Sequence, residues 1–364
     1  MVQKRIALFF HMPLVGEVFS PTSGSFGYGG AEVQMSLLIK AFAQDPSYQV
    51  IVISDKPFSY PDVEVRIPTP PIKRGIPLLS RYRNQQRIVD LFATDLPHKV
   101  LLGTLFPNPD IYERAHSCGV KTAFRVNGDS LVDGSLLNKN PRVDALHAYL
   151  PQFDLVLSQT EYQHIALEQK WSISSFPVRS TIKDHKVCRS PEERSYLLWV
   201  GRAAALKRPW YFIELAKQLP ATQFVFITTS TYGPDLRNTI KEEARHLSNF
   251  TFHEDIPYAS MHTYYENAQA FISTSLTEGA PSVFAEAAIA GTPIISLSVD
   301  PGGVIDRTAI GTSCKGSFPA LFDAVRTRPP LSHEQHESIR SAALKEWDPE
   351  QAVDGYRHAF DSLW

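Results

Sequence analysis

The chain has 364 residues, enough for two domains, and its 43% hydrophobic and 20% charged residues are typical of an ordinary globular protein. A formal net charge of −2 gives no sequence-wide attraction to nucleic acid, so we expect no nucleic-acid partner. The three cysteines, Cys118, Cys188 and Cys314, form no CxxC pair, which argues against a disulfide framework or a zinc site and favours a reducing, cytoplasmic location.

The amino-terminal half alternates strand patterns with helical ones. The strand patterns are RIALFFH (5–11), QVIVIS (49–54), KVLLGT (99–104), KTAFRVN (121–127) and FDLVLSQ (153–159), and a helical pattern covers 31–44. Buried strands separated by helices predict a parallel sheet covered on both faces. No apolar run reaches the roughly 18 residues that a membrane span requires.

The polar stretch 183–195 interrupts this alternation, which then starts again. Strand patterns occur at 195–201, 223–229, 251–256, 271–275 and 294–298, with helical patterns at 210–219, 238–247, 259–268 and 281–290. We therefore predict an α/β protein with two doubly wound units, residues 1–185 and 190–348. An amphipathic helix at about 349–364 needs a surface for its aromatic residues.

The block WVGRAAALKRP (199–209) combines two cations with a strand end. Gly201 ends the strand, Arg202 and Lys207 lie in the loop, and Pro209 begins the next helix. Cations at the carboxyl edge of a parallel sheet, beside a helix N-terminus, are well placed to hold a phosphate. The alternative is a solvated basic loop.

The block LTEGAPSVFAE (276–286) contains two carboxylates with seven residues between them. Glu278 falls in a loop after a strand, and Glu286 lies about two turns into the following helix. Backbone N–H groups at the helix start can meet an anion, and a carboxylate can accept hydrogen bonds from sugar or ribose hydroxyls. The alternative is a Glu286 that pairs with an Arg or Lys.

Four segments together carry a family resemblance: GGAE (29–32), VGRAAALK (200–207), EGAPSVFAE (278–286) and AGTPIISL (290–297). They resemble family four of the retaining glycosyltransferases, which have the GT-B fold of two Rossmann-like domains. The resemblance implies an amino-terminal acceptor domain and a carboxyl-terminal domain that binds a nucleotide-diphosphate sugar, with the last helix packed back on the first domain. It implies a UDP- or GDP-sugar as co-substrate, a glycan or lipid-linked glycan as acceptor, and no cofactor.

The resemblance also assigns roles to residues at the matching positions. Arg202 and Lys207 match the pair that neutralises the donor diphosphate, Glu278 the carboxylate that faces the transferred sugar, and Glu286 the one that binds ribose hydroxyls. Further donor-binding positions are Gly29 and Gly30 in the loop of the opposite domain, Ile256 in the segment lining the base, and Gly279, Ala280, Pro281 and Ser282 at the helix start.

One position departs from the family pattern. Many members have a His where this chain has Asn127, which leaves the chemistry of the acceptor site open. Arg125 shares a strand face with Asn127, so both are acceptor-side candidates, as is Asp129. The alternatives are a buried structural Arg125 with a carboxylate partner and a turn residue at Asp129.

Other readings remain open at this stage. A nicotinamide dehydrogenase loses its main support because GSFGYGGAE does not fit G-x-G-x-x-G, and no D-x-D pair indicates a metal-bridged diphosphate, so we expect metal independence. A binding protein without catalysis, or a GT-B epimerase or phosphorylase, is the alternative to a transferase. The basic segment 72–87 either contacts a membrane surface or is a solvated loop and helix.

Overall fold

The structure is a computed structural model of the chain, and it describes residues 6–11, 16–19, 29–54, 57–67, 91–104, 109–183, 185, 187, 190–230 and 233–364. These residues form two compact units. One holds residues up to 19, 31–181 and 350–364, and the other holds residues 182–349 together with Gly29 and Gly30. The basic segment 72–87 lies outside the described residues.

The first unit is built on a seven-stranded parallel sheet with the strand order β3-β2-β1-β4-β5-β6-β7. Its strands are β1 (Ile6–His11), β2 (Tyr48–Ile53), β3 (Val63–Arg66), β4 (His98–Gly103), β5 (Lys121–Arg125), β6 (Leu155–Ser158) and β7 (Phe176–Pro177). Its helices include α1 (Gly16–Phe19), α2 (Gly30–Ala43), α3 (Pro109–Ser117), α4 (Pro141–Tyr149) and α5 (Glu161–Trp171). Consecutive residues of β1 point to opposite faces of the sheet, because the side chains of a strand alternate with period two. Phe9 packs in the core on one face and Phe10 in the core on the other.

The second unit contains a six-stranded parallel sheet with the order β10-β9-β8-β11-β12-β13. Its strands are β8 (Tyr196–Val200), β9 (Gln223–Thr228), β10 (Phe250–Glu254), β11 (Ala268–Ser273), β12 (Ile294–Ser296) and β13 (Gly311–Ser313). Its helices include α6 (Trp210–Gln218), α7 (Pro234–Ala244), α8 (Tyr258–Glu266), α9 (Ser282–Ile289), α10 (Val304–Thr308), α11 (Phe318–Thr327) and α12 (His333–Glu346). Leu198 packs into the core on one face of this sheet, and Trp199 into the core on the other.

The last helix, α13 (Pro349–Asp361), follows the second unit in sequence but packs in the first. Val353, Tyr356 and Phe360 are buried in the same core as Phe10. The ring of Phe360 lies 5.9 Å from that of Phe42 on α2. The apolar face of this amphipathic helix thus packs in the core on one face of the amino-terminal sheet.

Both sheets reverse their strand order next to their first strand. In the first unit the reversal lies between β1 and β4, and in the second between β8 and β11. At such a point the following connections lie on opposite faces of the sheet and leave a crevice outside the carboxyl ends of the strands, where ligands of open α/β sheets bind. The α/β fold class is confirmed, with two parallel sheets.

Candidate functional site

The strand order of the second unit brings the two motif blocks together. Arg202 and Lys207 follow β8, Glu278 follows β11, and these two strands are neighbours paired in parallel. Loops that leave adjacent parallel strands emerge at one edge of the sheet, here at the point where the strand order reverses. A candidate binding site therefore lies at this edge.

A salt bridge joins the two loops across this edge. The Lys207 ammonium contacts Oε1 of Glu278, and the Ser275 hydroxyl donates a hydrogen bond of 2.7 Å to the same oxygen. Both charged side chains are largely shielded from solvent, with 22% and 13% exposed. The cation predicted for the diphosphate and the carboxylate predicted to face the sugar thus touch each other.

Arg208 is a residue of this site that sequence reasoning missed. Its backbone adopts a left-handed conformation with φ 46°. Its guanidinium donates to the carbonyl oxygens of Thr274 at 2.8 Å and Ser275 at 3.0 Å, and to the Ser298 hydroxyl at 2.5 Å. Burial lowers the pKa of Arg208. The residue follows Lys207 directly in the sequence, but the basic run alone does not tell which cation faces a ligand and which fastens the loops.

The start of α9 has free N–H groups with respect to the described residues. Pro281 is its N-cap residue, and no described side chain makes a capping hydrogen bond to the first backbone N–H groups, which begin with Ser282. Gly279 is buried in the preceding loop, and Ala280 and Pro281 are half-buried. Uncapped N–H groups at the positive end of a helix form a site for a phosphate.

Glu286 lies in the second turn of α9 and is half-buried. Burial raises the pKa of Glu286 to about 7, and the hydroxyl of Tyr265 on α8 acts in the opposite sense. The nearby Glu286 carboxylate in turn helps burial to raise the pKa of Tyr265. Glu286 has no Arg or Lys partner among the described residues, so the alternative of a paired helix glutamate is not supported.

The two remaining donor-side candidates lie at the same edge of this unit. Arg202 is exposed two residues beyond β8 and has interactions of its own. Ile256 is half-buried after β10 and packs on the core beneath the sheet. The preceding Asp255 accepts a hydrogen bond of 2.8 Å from the Ser230 amide, which ties the loops after β9 and β10 together.

The candidates at the amino-terminal end of the chain are placed differently. Gly30 begins α2, directly after Gly29. Arg125 is the last residue of β5 and is 1% exposed, and Asn127 lies half-buried beyond the strand end. Asp129 begins a short 3-10 helix and accepts a hydrogen bond of 2.9 Å from Gln163, which supports the turn alternative for this residue.

One part of the chain matches a known protein family. Residues 180–306 match the family model described as glycosyl transferases group 1. That segment contains the loops after β8 and β11 and all of α9. No curated protein sequence matches the chain.

Solved structures resemble the whole chain. A sucrose-phosphate synthase from Thermosynechococcus elongatus aligns with a TM-score of 0.78 at 16% identity, over 99% of each chain. HepE from Anabaena, solved in complex with UDP and glucose, aligns with a TM-score of 0.71 at 11% identity, over 98% of this chain and 99% of that chain. An α,α-trehalose 6-phosphate synthase from Burkholderia multivorans aligns with a TM-score of 0.68 at 13% identity, over 100% and 99%. The segment that matches the group 1 model thus lies in a chain with the GT-B fold.

The described residues contain neither a membrane-spanning helix nor a metal-binding cluster. None of their helices is both long and apolar enough to cross a bilayer. Within the same residues, no three His, Cys, Asp or Glu side chains are grouped so that they could hold a metal ion.

Proposed function

We propose that this protein is a retaining glycosyltransferase. It moves a hexose-type sugar from a UDP- or GDP-sugar to a hydroxyl of a glycan or glycolipid acceptor, without a divalent metal. The observation that carries the proposal is the meeting of Lys207, Glu278 and the uncapped start of α9 at the reversal point of the second sheet, within the segment that matches the family. It rests further on the resemblance of the motifs.

In this proposal the donor diphosphate is held by positive potential alone. Arg202 and Lys207 approach it from the loop after β8, and backbone N–H groups near Ser282 meet it at the start of α9. Glu278 faces the transferred sugar, close enough to Lys207 to hold the ammonium in place before the donor binds. Glu286 accepts hydrogen bonds from the ribose hydroxyls.

The same cations account for the rate. When the glycosidic bond breaks, the leaving diphosphate gains negative charge, so Arg202 and Lys207 stabilise the transition state more than the bound donor. In the family that these motifs resemble, retaining transfer is viewed as a same-face reaction in which the leaving phosphate oxygen takes the proton of the acceptor hydroxyl. A protein base is then dispensable, and Asn127 can stand where other members have His.

Thermal protection tests the donor site directly. UDP-, GDP- and ADP-sugars are compared in the presence of a chelator, because a donor at 100 times its dissociation constant stabilises the protein by about 2.7 kcal/mol. We expect a UDP- or GDP-sugar to protect with and without the chelator. Protection that depends strictly on magnesium or manganese would refute the role given to the two cations.

Product release separates transfer from its alternatives. A transferase frees the nucleoside diphosphate when an acceptor is supplied, whereas a binding protein does not and an epimerase yields an altered sugar.

We place the reaction in the cytoplasm, in polysaccharide biosynthesis, with peripheral membrane contact through segment 72–87. Sedimentation with anionic vesicles, compared for the wild-type chain and a variant with neutral residues at Lys73 and Arg74, tests that contact.

A further inference from the structure

Arg125 is a buried cation one strand away from the reversal point of the first sheet. It is the last residue of β5, and β5 pairs with β4, which is one of the two strands at that point. Its side chain is 1% exposed, and it is the largest of the fully buried side chains among the described residues. Arginine is among the residue types that are almost never fully buried unless paired.

The described residues give this guanidinium hydroxyl partners only. Nε donates to the Thr104 hydroxyl at 3.3 Å, and Nη1 donates to the Tyr356 hydroxyl on α13 at 3.4 Å. The Thr104 hydroxyl itself donates to the backbone carbonyl of Arg125 at 3.0 Å, which orients its lone pairs toward Nε. No carboxylate of the described residues lies within the 4.0 Å of an ion pair. The alternative of a structural cation with a carboxylate partner therefore fails for the described part of the chain.

Toward the described residues, this guanidinium has unused binding capacity. It carries five N–H donors in a planar fork, and two of them donate to described residues, both in long hydrogen bonds. A buried charge without a counter-ion is costly, whereas the same charge paired with a bidentate anion gains short, charge-assisted hydrogen bonds. The fork geometry matches a phosphate or a carboxylate.

We propose that Arg125 binds an anionic group of the acceptor, so that the acceptor is a phosphorylated sugar or a sugar acid. Thr104 and Tyr356 hold the guanidinium in position for that group. The proposal rests on the proposed function, because it takes the first unit as the acceptor side of a transferase.

Anion binding to the full chain tests the proposal. The protein is first saturated with UDP, so that a second anion cannot occupy the diphosphate site, and is then titrated calorimetrically in phosphate-free buffer. Inorganic phosphate and glucuronate are the two probes, and glucose is the neutral control. We expect the wild-type protein to bind phosphate if the acceptor is phosphorylated and glucuronate if it is a sugar acid, in each case more tightly than glucose.

Variants connect the binding to Arg125. Arg125→Met should weaken binding of the preferred anion roughly tenfold to a hundredfold, since charge-assisted hydrogen bonds are lost. Lys121→Met is the matched control, because it removes a cation at the other end of the same strand, where Lys121 pairs with Asp154. Its anion affinity should equal that of the wild-type protein. An anion that binds equally well to Arg125→Met, or the failure of both anions to bind the wild-type protein, would overturn the proposal.

The stability of the anion-free protein provides a second readout. A buried guanidinium without its anion destabilises the folded protein. Arg125→Met should therefore melt at the same temperature as the wild-type protein or higher in phosphate-free buffer. A lower melting temperature would indicate a structural role and count against the proposal. Failure of Arg125→Met to fold would count against the proposal in the same way. Arg125→Lys keeps the charge and loses the fork, so it should also bind the anion more weakly, and equal affinity would contradict the proposal.

The UDP step separates this proposal from the proposed function. If UDP fails to bind while phosphate or glucuronate binds in an Arg125-dependent way, the donor assignment is wrong and the anion site stands. If UDP binds and neither anion does, the donor assignment stands and the acceptor proposal is refuted.

Discussion

At the scale of single residues, the ionisation of Glu286 couples the site to stability. Burial raises the pKa of this carboxyl from an ordinary 4.5 to about 7. Because the folded state binds the proton more tightly than the unfolded state, the stabilisation is fully present below pH 4.5 and is lost as the pH rises through 7. We expect the wild-type free energy of unfolding to fall by about 2–3 kcal/mol between pH 5 and pH 8 from this group.

The Glu286→Gln variant isolates that contribution. Glutamine does not titrate, so the stability of the variant relative to the wild-type protein should rise with pH across this range, as measured by urea unfolding. The control is Glu242→Gln, which changes a glutamate that is 61% exposed in the same unit and should leave the profile unchanged. Parallel profiles for wild type and Glu286→Gln would show that the Glu286 pKa is not raised.

The two loop cations and Asn127 should differ sharply in their effect on turnover. Removal of one preorganised electrostatic group typically costs about 10²–10³ in kcat. Arg202→Ala and Lys207→Ala should each lose that much, and the double variant should lose less than the product because both act on one diphosphate. Asn127→Ala should lose far less, through acceptor positioning alone. The measurement is kcat of the four variants from steady-state kinetics. Equal losses of kcat for Asn127→Ala and Arg202→Ala would contradict stabilisation of the leaving diphosphate by the two cations.

At the scale of elements, Arg208 fastens the loop after β8 to the loop after β11. Its three hydrogen bonds end on Thr274, Ser275 and Ser298, which lie 66, 67 and 90 residues after Arg208 in the sequence. Arg208→Met should destabilise the second unit by about 1–3 kcal/mol, since charged hydrogen bonds are lost and carbonyl groups are left unpaired. Faster amide exchange in residues 274–278 should accompany the loss.

The control for Arg208 is a solvent-exposed cation, Lys217. Lys217→Met removes an exposed side chain on α6 whose partner is Glu243, and surface pairs of this kind contribute little. Its free energy of unfolding should stay within about 0.5 kcal/mol of the wild-type value. If Arg208→Met is equally mild, the fastening role is wrong.

At the scale of the whole molecule, the core of the first unit includes the last helix of the chain, α13. Phe360 of α13 is fully buried beside Phe42, in the core on one face of the first sheet. Phe360→Ala should reduce the stability of the first unit by about 3–5 kcal/mol, because a large apolar side chain leaves a cavity. His358→Ala, at an exposed position of the same helix, should have almost no effect. Thermal unfolding monitored by calorimetry compares the two, and similar melting temperatures would contradict the packing role of α13.

Much of the element order could be predicted from the sequence. Apolar runs of strand length alternating with helical periodicity reflect local geometry, so they predicted parallel sheets and the positions of β1, β8 and β11. The same local geometry placed the blocks 199–209 and 276–286 after strands, whereas the roles of their residues came from the resemblance to known motifs. Boundaries were less certain: the pattern KTAFRVN extends to Asn127, whereas β5 ends at Arg125.

The sequence by itself determined which residue types stand at the strand ends: two cations after β8, a glutamate after β11 and a second one inside α9. Only the tertiary structure decided which of them meet. Lys207 and Glu278 are 71 residues apart and touch because β8 and β11 are neighbours, and strand order depends on how the helices cover both faces of the sheet. The surroundings of Glu286 and Arg125 were decided in the same way. Desolvation and the absence or presence of a counter-charge depend on residues from distant segments, which no local pattern specifies.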